Sequence, residues 1–313
     1  MNGPITIIGA GGFIGTNLRR AMLRNGCRVR AMSRSWLAPP EHELEQVFTG
    51  DVEDRHAVER AIEGSRCVVL LSHALLPGTP LEQAGPGMLR SLDATLHVAG
   101  ECAKRGARLV YLSSGGTVYG PGVGIPTPES APCNPISLYG ASKLAAEKVL
   151  AVYARQAGLN CIVLRVSNPY GPWQLGRNSQ GVIGAWLTSA IEGREIEIWG
   201  DGSVVRDYVY IDDVIGAILL ATDYEGAESV FNIGFGAGAT LQDVANIIRS
   251  LCPVPVRYRE GRPVDVPVNI LAIENARREL GWAPSVELKA GIEGSLRWLL
   301  ARRGKASEAG ESG

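Results

Sequence analysis

The chain has 313 residues, 45% hydrophobic and 20% charged, with a formal net charge of −1. That is the composition of a soluble globular protein with room for a well-buried core, and it excludes a disordered or fibrous chain. The near-zero charge offers no basic field to nucleic acid or an anionic membrane, and no apolar run reaches the roughly 20 residues of a membrane span.

The amino terminus MNGPITIIGAGG enters an apolar strand at once, without the basic and hydrophobic regions of a signal peptide. Six cysteines, at 27, 67, 102, 133, 161 and 252, form no Cys-x-x-Cys pair, so neither a disulfide framework nor a zinc site is expected. A reducing cytoplasm is the expected setting.

Short β-branched runs alternate with helix-length segments: ITII (5–8), CRVRAM (27–32), QVFTGDV (46–52), RCVVLLS (66–72), RLVYLS (108–113) and NCIVLRV (160–166). Between them lie amphipathic stretches such as TNLRRAMLRNG and SLDATLHVAGECAKRG, each closing at a glycine. Continuous apolar strands with crossover helices predict a Rossmann-type α/β fold built on a doubly wound parallel sheet over residues 1–166. After residue 166 the rhythm loosens. A loop-like NPYGPWQLGRNSQG, a helix in GVIGAWLTSAIEGREI and a strand pair around Gly-Asp-Gly in EIWGDGSVVRDYVYI lead to further helices and one strand, SVFNIG. Residues 167–302 are expected to form a smaller substrate-binding lobe that partly returns to the large sheet, and 303–313 a frayed polar tail.

The first chemical motif is ITIIGAGGFIGTNLRRAM. Gly9 permits the tight turn, Gly12 lets backbone approach a pyrophosphate, and Gly15 lets the helix pack close to the strand. The N–H groups of Phe13 and Ile14 at the helix start then face the anion. The second strand ends Met32-Ser33-Arg34, without the carboxylate that accepts from the adenosine ribose of NAD. A hydroxyl followed by a guanidinium suits the 2′-phosphate of NADP, although Arg34 also reads as a solvated loop residue. Asp51 and Val52 close the third strand; Asp51 is placed either to accept from the adenine amino group or as a plain turn acid.

The second motif joins LSSGGTVYG (112–120) to SLYGASKLAAEKVLAVYARQAG (137–158). Tyr139 and Lys143, four apart on a helix, project from one face, and an ammonium beside a phenol favours the phenolate. A group whose ordinary pKa is near 10 is thereby brought toward proton transfer at neutral pH.

With these motifs the sequence resembles the extended short-chain dehydrogenase/reductase family, in particular the NAD-dependent epimerases and dehydratases of the UDP-glucose 4-epimerase type. The likeness runs through GAGGFIG, LSSGGTVYG, YGASK, RVSNPYGP, WGDGSVVRDYVYIDDV and EGRPVDVP. The resemblance implies Tyr139 as catalytic base and Lys143 as the residue holding both the nicotinamide ribose and the tyrosine's acidity. It also implies Asn168, Arg206 and Arg262 as ligands of a sugar-nucleotide diphosphate, which two guanidiniums can grip bidentately. Bound NAD or NADP, a UDP-linked sugar, no metal and a homodimer pairing two helices per subunit complete the expectation.

Three departures stand out. The family commonly has Ser or Thr at the position of Gly115, so the second hydrogen bond to the reacting oxygen is expected from Thr117, with Ser114 the alternative. The Asp-Glu pair that dehydratases carry after that position is missing, which argues against a 4,6-dehydratase. At Ser91 the family commonly has an asparagine that braces the sheet. His73, at the end of the fourth strand, is expected to line the cofactor cleft. The leading expectation is C4 epimerisation of a UDP-hexose or UDP-N-acetylhexosamine through a 4-keto intermediate. Its alternatives are an NADPH-dependent 4-keto nucleotide-sugar reductase and a non-catalytic dinucleotide-binding sensor.

Overall fold

The computed structural model describes residues 3–175, 181–261 and 266–310, with side chains as far as residue 304. The first half alternates strand and helix as its sequence rhythm predicts: β1 (Ile5–Ile8), α1 (Phe13–Arg24), β2 (Val29–Ser33), β3 (Glu45–Thr49), α2 (Arg55–Ile62), β4 (Cys67–Leu70), α3 (Leu81–Arg105), β5 (Arg108–Ser114), α4 (Leu138–Ala157) and β6 (Cys161–Val166). The second half is finer grained: β7 (Asn168–Tyr170), α5 (Val182–Ile191), β8 (Ile196–Trp199), β9 (Val205–Tyr210), α6 (Ile211–Asp223), β10 (Val230–Ile233), β11 (Gly238–Thr240), α7 (Leu241–Leu251), β12 (Val256–Arg259), β13 (Val268–Asn269), α8 (Glu274–Leu280) and α9 (Leu288–Gly310).

Among the described residues the large sheet has seven parallel strands in the order β10-β6-β5-β4-β1-β2-β3. Every residue of β1, β4, β5 and β6 is buried, because helices cover both faces, whereas the edge strand β3 is largely exposed. Two apolar clusters, one on each side of the sheet, form the core. The chain order reverses between β1 and β4, and in a doubly wound sheet that point opens a crevice at the carboxyl ends of the strands. Gly9, His73 and Ser114 all stand at those ends.

Local signals place the helices. Ser137 caps α4 by accepting from Gly140 N–H at 3.1 Å, and Gly158, in the left-handed region at φ 64°, closes it. Asp54 caps α2 in the same way through Ala57 N–H.

Two expectations are corrected. The strands flanking Gly-Asp-Gly form, but they do not pair with each other. β8 pairs with β12, and β9 lies in a separate sheet between β11 and β13 with β7 alongside, because strands from farther along the chain take their edges. The carboxyl-terminal segment is not frayed from residue 303: α9 runs on to Gly310 through lysine, alanine, serine and glutamate, residues that a helix accepts at little cost.

Candidate active site

The glycine cradle follows β1 directly. Gly9 turns the chain at φ 95°, and an added Cβ at Gly15 would collide with the Gly9 carbonyl oxygen, so α1 lies against the turn as the spacing requires. Gly12 is different: a Cβ there would meet only Gly9 O, at 3.4 Å, so its outer side is open. Gly12 is also the N-cap of α1; no side chain caps the helix and no acid stands in its first turn. The first N–H groups of a helix have no intrahelical partner and carry its positive dipole end. Uncapped backbone donors at Phe13 and Ile14 above an open glycine fit a dinucleotide pyrophosphate.

The adenosine end is a solvated rim. Ser33 Oγ accepts from Ser35 N–H at 3.4 Å and donates to Ser35 O, so its hydroxyl is occupied locally. Arg34 Nη1 lies 3.2 Å from Asp51 Oδ2, with the arginine side chain 76% exposed. Asp51 Oδ1 also accepts from Glu53 N–H at 3.1 Å. Val52 is half-buried against the core. The guanidinium expected to stand free for a 2′-phosphate is thus paired with the carboxylate expected to reach adenine.

The reacting end is buried, and α4 meets the carboxyl end of β5 there through consecutive contacts. Lys143 Nζ donates to Leu112 O at 2.7 Å, Ser113 Oγ donates to Glu147 Oε1, and the Ser114 hydroxyl hydrogen-bonds Tyr139. Tyr139, Lys143 and Glu147 are four apart and share one helical face. Burial pushes the Tyr139 phenol up to about 12 against the opposing pull of the Ser114 hydrogen bond. Burial brings the Lys143 ammonium down to about 7, partly offset by the Glu147 carboxylate. The pair shares a face as its spacing predicts, yet in this structure the phenol is not acidified. Nζ is 5.9 Å from the Tyr139 ring centroid and bonded to a backbone carbonyl, and desolvation of the buried phenolate is the leading cause of the rise.

The two hydroxyls expected to serve the reacting oxygen stand in different settings. Ser114, not Thr117, bonds Tyr139; Thr117 Oγ1 is buried without a partner. Gly115 has its own cause. A Cβ there would lie 2.5 Å from Leu271 Cδ1 and 2.9 Å from Arg165 O, so a leucine from 156 residues along the chain stands where a serine would. His73 lies closer to the chemistry than a cleft wall implies: its ring meets that of Tyr139 edge-on, 5.4 Å between centroids, and its Nε2 is buried without a partner. Burial, then the nearby Lys143 charge, holds His73 down at about 2, so it is neutral. The loop carrying it is pinned by Ser91, whose hydroxyl accepts from Ala74 N–H at 2.9 Å and donates to Gly87 O. Ser91 thus ties α3 to that loop at the position where the family commonly has an asparagine.

On the second lobe, Asn168 begins β7 and donates through Nδ2 to Asp207 O at 3.0 Å, and its Oδ1 is 3.9 Å from the position of a Cβ on Gly116, beside Ser114. Arg206 is half-buried on β9, its Nη1 donating to Val266 O at 2.6 Å and Val205 O at 3.0 Å. Arg262 lies outside the described residues. Sequence reasoning missed Asp207, a buried carboxylate that accepts from Phe235, Gly236 and Leu271 N–H and from Ser167 Oγ. Burial raises its pKa, and those donors act against the rise. Its only sequence signal was an acid inside a strand pattern. Glu59 of α2 and His97 and Glu101 of α3 bring three ligand atoms within 4.8 Å of one another, but Glu101 is already bonded by Lys104 and Arg105. No helix among the described residues is long and apolar enough to cross a membrane.

The family model for the NAD dependent epimerase/dehydratase family matches residues 5–234. The chain is 31% identical to the UDP-glucose 4-epimerase of Mycolicibacterium smegmatis, over 94% of this chain and 97% of that one. It is 30% identical to the dTDP-4-dehydro-6-deoxyglucose reductase of Escherichia coli, over 92% and 95%. Its structure is similar to that of the UDP-glucose 4-epimerase of Thermotoga maritima solved with UDP-glucose, with a TM-score of 0.88, 31% identity and coverage of 96% and 99%.

Proposed function

The chain belongs to the NAD dependent epimerase/dehydratase family, and from that membership we propose that it is a nucleotide-sugar 4-epimerase acting on a UDP-hexose or UDP-N-acetylhexosamine, with NAD as its cofactor. The observation that carries this reading is Tyr139, bonded to Ser114 on the buried face of α4, with Lys143 one turn away at the sheet's switch point.

Gly9, Gly12 and the N–H groups of Phe13 and Ile14 hold the pyrophosphate; Val52 lines the adenine end, and Ser33, Arg34 and Asp51 form the adenosine rim. When bound, the nicotinamide ring accepts the hydride that the sugar's C4 gives up. Tyr139 takes the C4 hydroxyl proton onto its phenolate oxygen as that C–H bond breaks, leaving a 4-keto sugar. The same oxygen returns the proton when hydride comes back to the opposite face of C4. Lys143 supplies positive potential that works against the burial holding the Tyr139 phenol up at about 12, and Ser114 orients Tyr139. Thr117 Oγ1 and His73 Nε2, both buried and unpartnered, await polar groups of the ligands, since a buried polar atom without a partner costs about 1–3 kcal/mol. Asn168, Arg206 and Arg262 bind the diphosphate.

Purified protein given UDP-glucose or its N-acetyl derivative is expected to form the galacto epimer without added reductant. Tyr139→Phe should lower kcat by roughly 10²–10⁴-fold with binding retained. Turnover unchanged by that substitution would return the chain to the sensor reading.

A second reading, a 4-keto nucleotide-sugar reductase consuming NADPH, is favoured by the Arg34 guanidinium at the end of β2 and by the likeness to the reductase of E. coli. Stoichiometric loss of NADPH absorbance with a 4-keto sugar would support it. A dimer through α3 and α4, where Leu89 and Leu96 are exposed, and a cytoplasmic setting suited to six free cysteines complete the reading.

A further inference from the structure

The contacts between α4 and β5 extend past the residues that meet the ligands. Glu147 is 6% exposed and one turn beyond Lys143. Its carboxylate accepts from Ser113 Oγ, from Arg165 Nε at 3.1 Å and from Arg165 Nη2 at 2.7 Å. Ser113 stands between Leu112, whose carbonyl holds Lys143, and Ser114, whose hydroxyl holds Tyr139. Anchoring Ser113 therefore fixes the register of both neighbouring contacts. Arg165 comes from β6 and also donates through Nη1 to Tyr119 OH at 2.9 Å and Glu129 O at 3.2 Å, so the carboxylate is held from below as well.

We propose that Glu147 is a positioning residue for the Tyr139–Lys143 pair, clamping the end of β5 against α4 and placing a fixed negative charge one turn behind the Lys143 ammonium. The proposal rests on the roles of Tyr139 and Lys143 given above. A buried ammonium without a counter-charge gives up its proton, and Glu147 acts on Lys143 in the opposing direction.

The surroundings make this measurable. The Tyr111 phenol on β5, facing Lys143 Nζ at 4.9 Å, is raised well above its ordinary value by burial, Tyr119 is raised to about 12 and the Cys161 thiol on β6 to about 12. Cys133 and Glu129, near Arg165, are also raised by burial, and His73 stays neutral. Lys143, brought down to about 7, changes charge near neutral pH, while the raised tyrosines and cysteines around it stay neutral there.

The test is the pH profile of kcat/KM for epimerisation in Glu147→Gln, which keeps an acceptor for Ser113 and removes the charge. Activity needs Lys143 charged, so its loss on the high-pH side tracks Lys143 deprotonation. Without the carboxylate that limb should move to lower pH by on the order of one unit, with kcat falling more than KM changes. The single variant leaves Arg165 buried and unpaired, so Glu147→Gln/Arg165→Met, which removes that orphaned guanidinium, is measured beside it and should show a displacement in the same direction, smaller because a neighbouring positive charge has gone too. A profile that superimposes on the parent's after uniform scaling in the folded double variant overturns the proposal. Tyr139→Phe in the same assay separates the two ideas. If it keeps full turnover, the reading of Tyr139 falls and this proposal with it; if it loses turnover while the Glu147 profiles stay put, this proposal alone falls.

Discussion

The two ends of the crevice are built on opposite terms. At the reacting end, Lys143, Glu147, Ser113 and Ser114 are all buried, and contacts from α4 meet consecutive residues of β5. At the adenosine end, Arg34 and Asp51 form an ion pair open to water, with the arginine three-quarters exposed. A buried polar group must be satisfied in place, so a change there carries the full cost of desolvation. An exposed ion pair is worth about 0–1 kcal/mol and is easily altered. On the proposed reading, the chemistry is fixed in the interior, while cofactor preference is set on a surface that tolerates change.

That contrast can be broken at several points. The largest effect is expected at the joint between the two ends. Gly15→Ala would drive a methyl group into the Gly9 carbonyl and push α1 off its turn, so bound NAD should be absent from purified protein, read by mass after denaturation. Next is Gly115→Ser. The added side chain meets Leu271 and the Arg165 carbonyl, and overpacking of this kind costs about 1–3 kcal/mol, visible as a lower Tm. Ser114→Ala should follow, lowering kcat by about ten- to a hundredfold through loss of the one hydroxyl on Tyr139. Thr117→Val should be the milder of the two; the reverse order would restore the role expected of Thr117. Smallest is Arg34→Ala, for which NAD affinity should change by less than about threefold in a fluorescence titration. A large loss there would show that the rim resists change as strongly as the interior does.

The cradle and the α4 pair were legible because each is local: glycines three apart, a tyrosine and lysine one turn apart. Parallel strands were legible from their unbroken apolar runs. What stayed hidden depends on contacts that no short window contains. Asp207 reaches Leu271 across 64 residues, and Leu271 in turn fills the space over Gly115. His73 read as a cleft residue because its distance from Tyr139 is set by the packing of β4 against β5, not by spacing. The burial of Tyr139 was hidden for a related reason: spacing reveals that a cation is near, but not that desolvation pushes the phenol up.

Leu271 also constrains how this site can change over generations. A glycine at 115 is needed while the leucine is there, and a smaller residue at 271 would leave a void while the glycine is there. Either replacement alone is penalised, and the two together would admit a hydroxyl only with a small shift of the Arg165 carbonyl, 2.9 Å from that Cβ. Descendants of this sequence are therefore expected to keep the pair or exchange both, so positions 115 and 271 should be inherited as a unit.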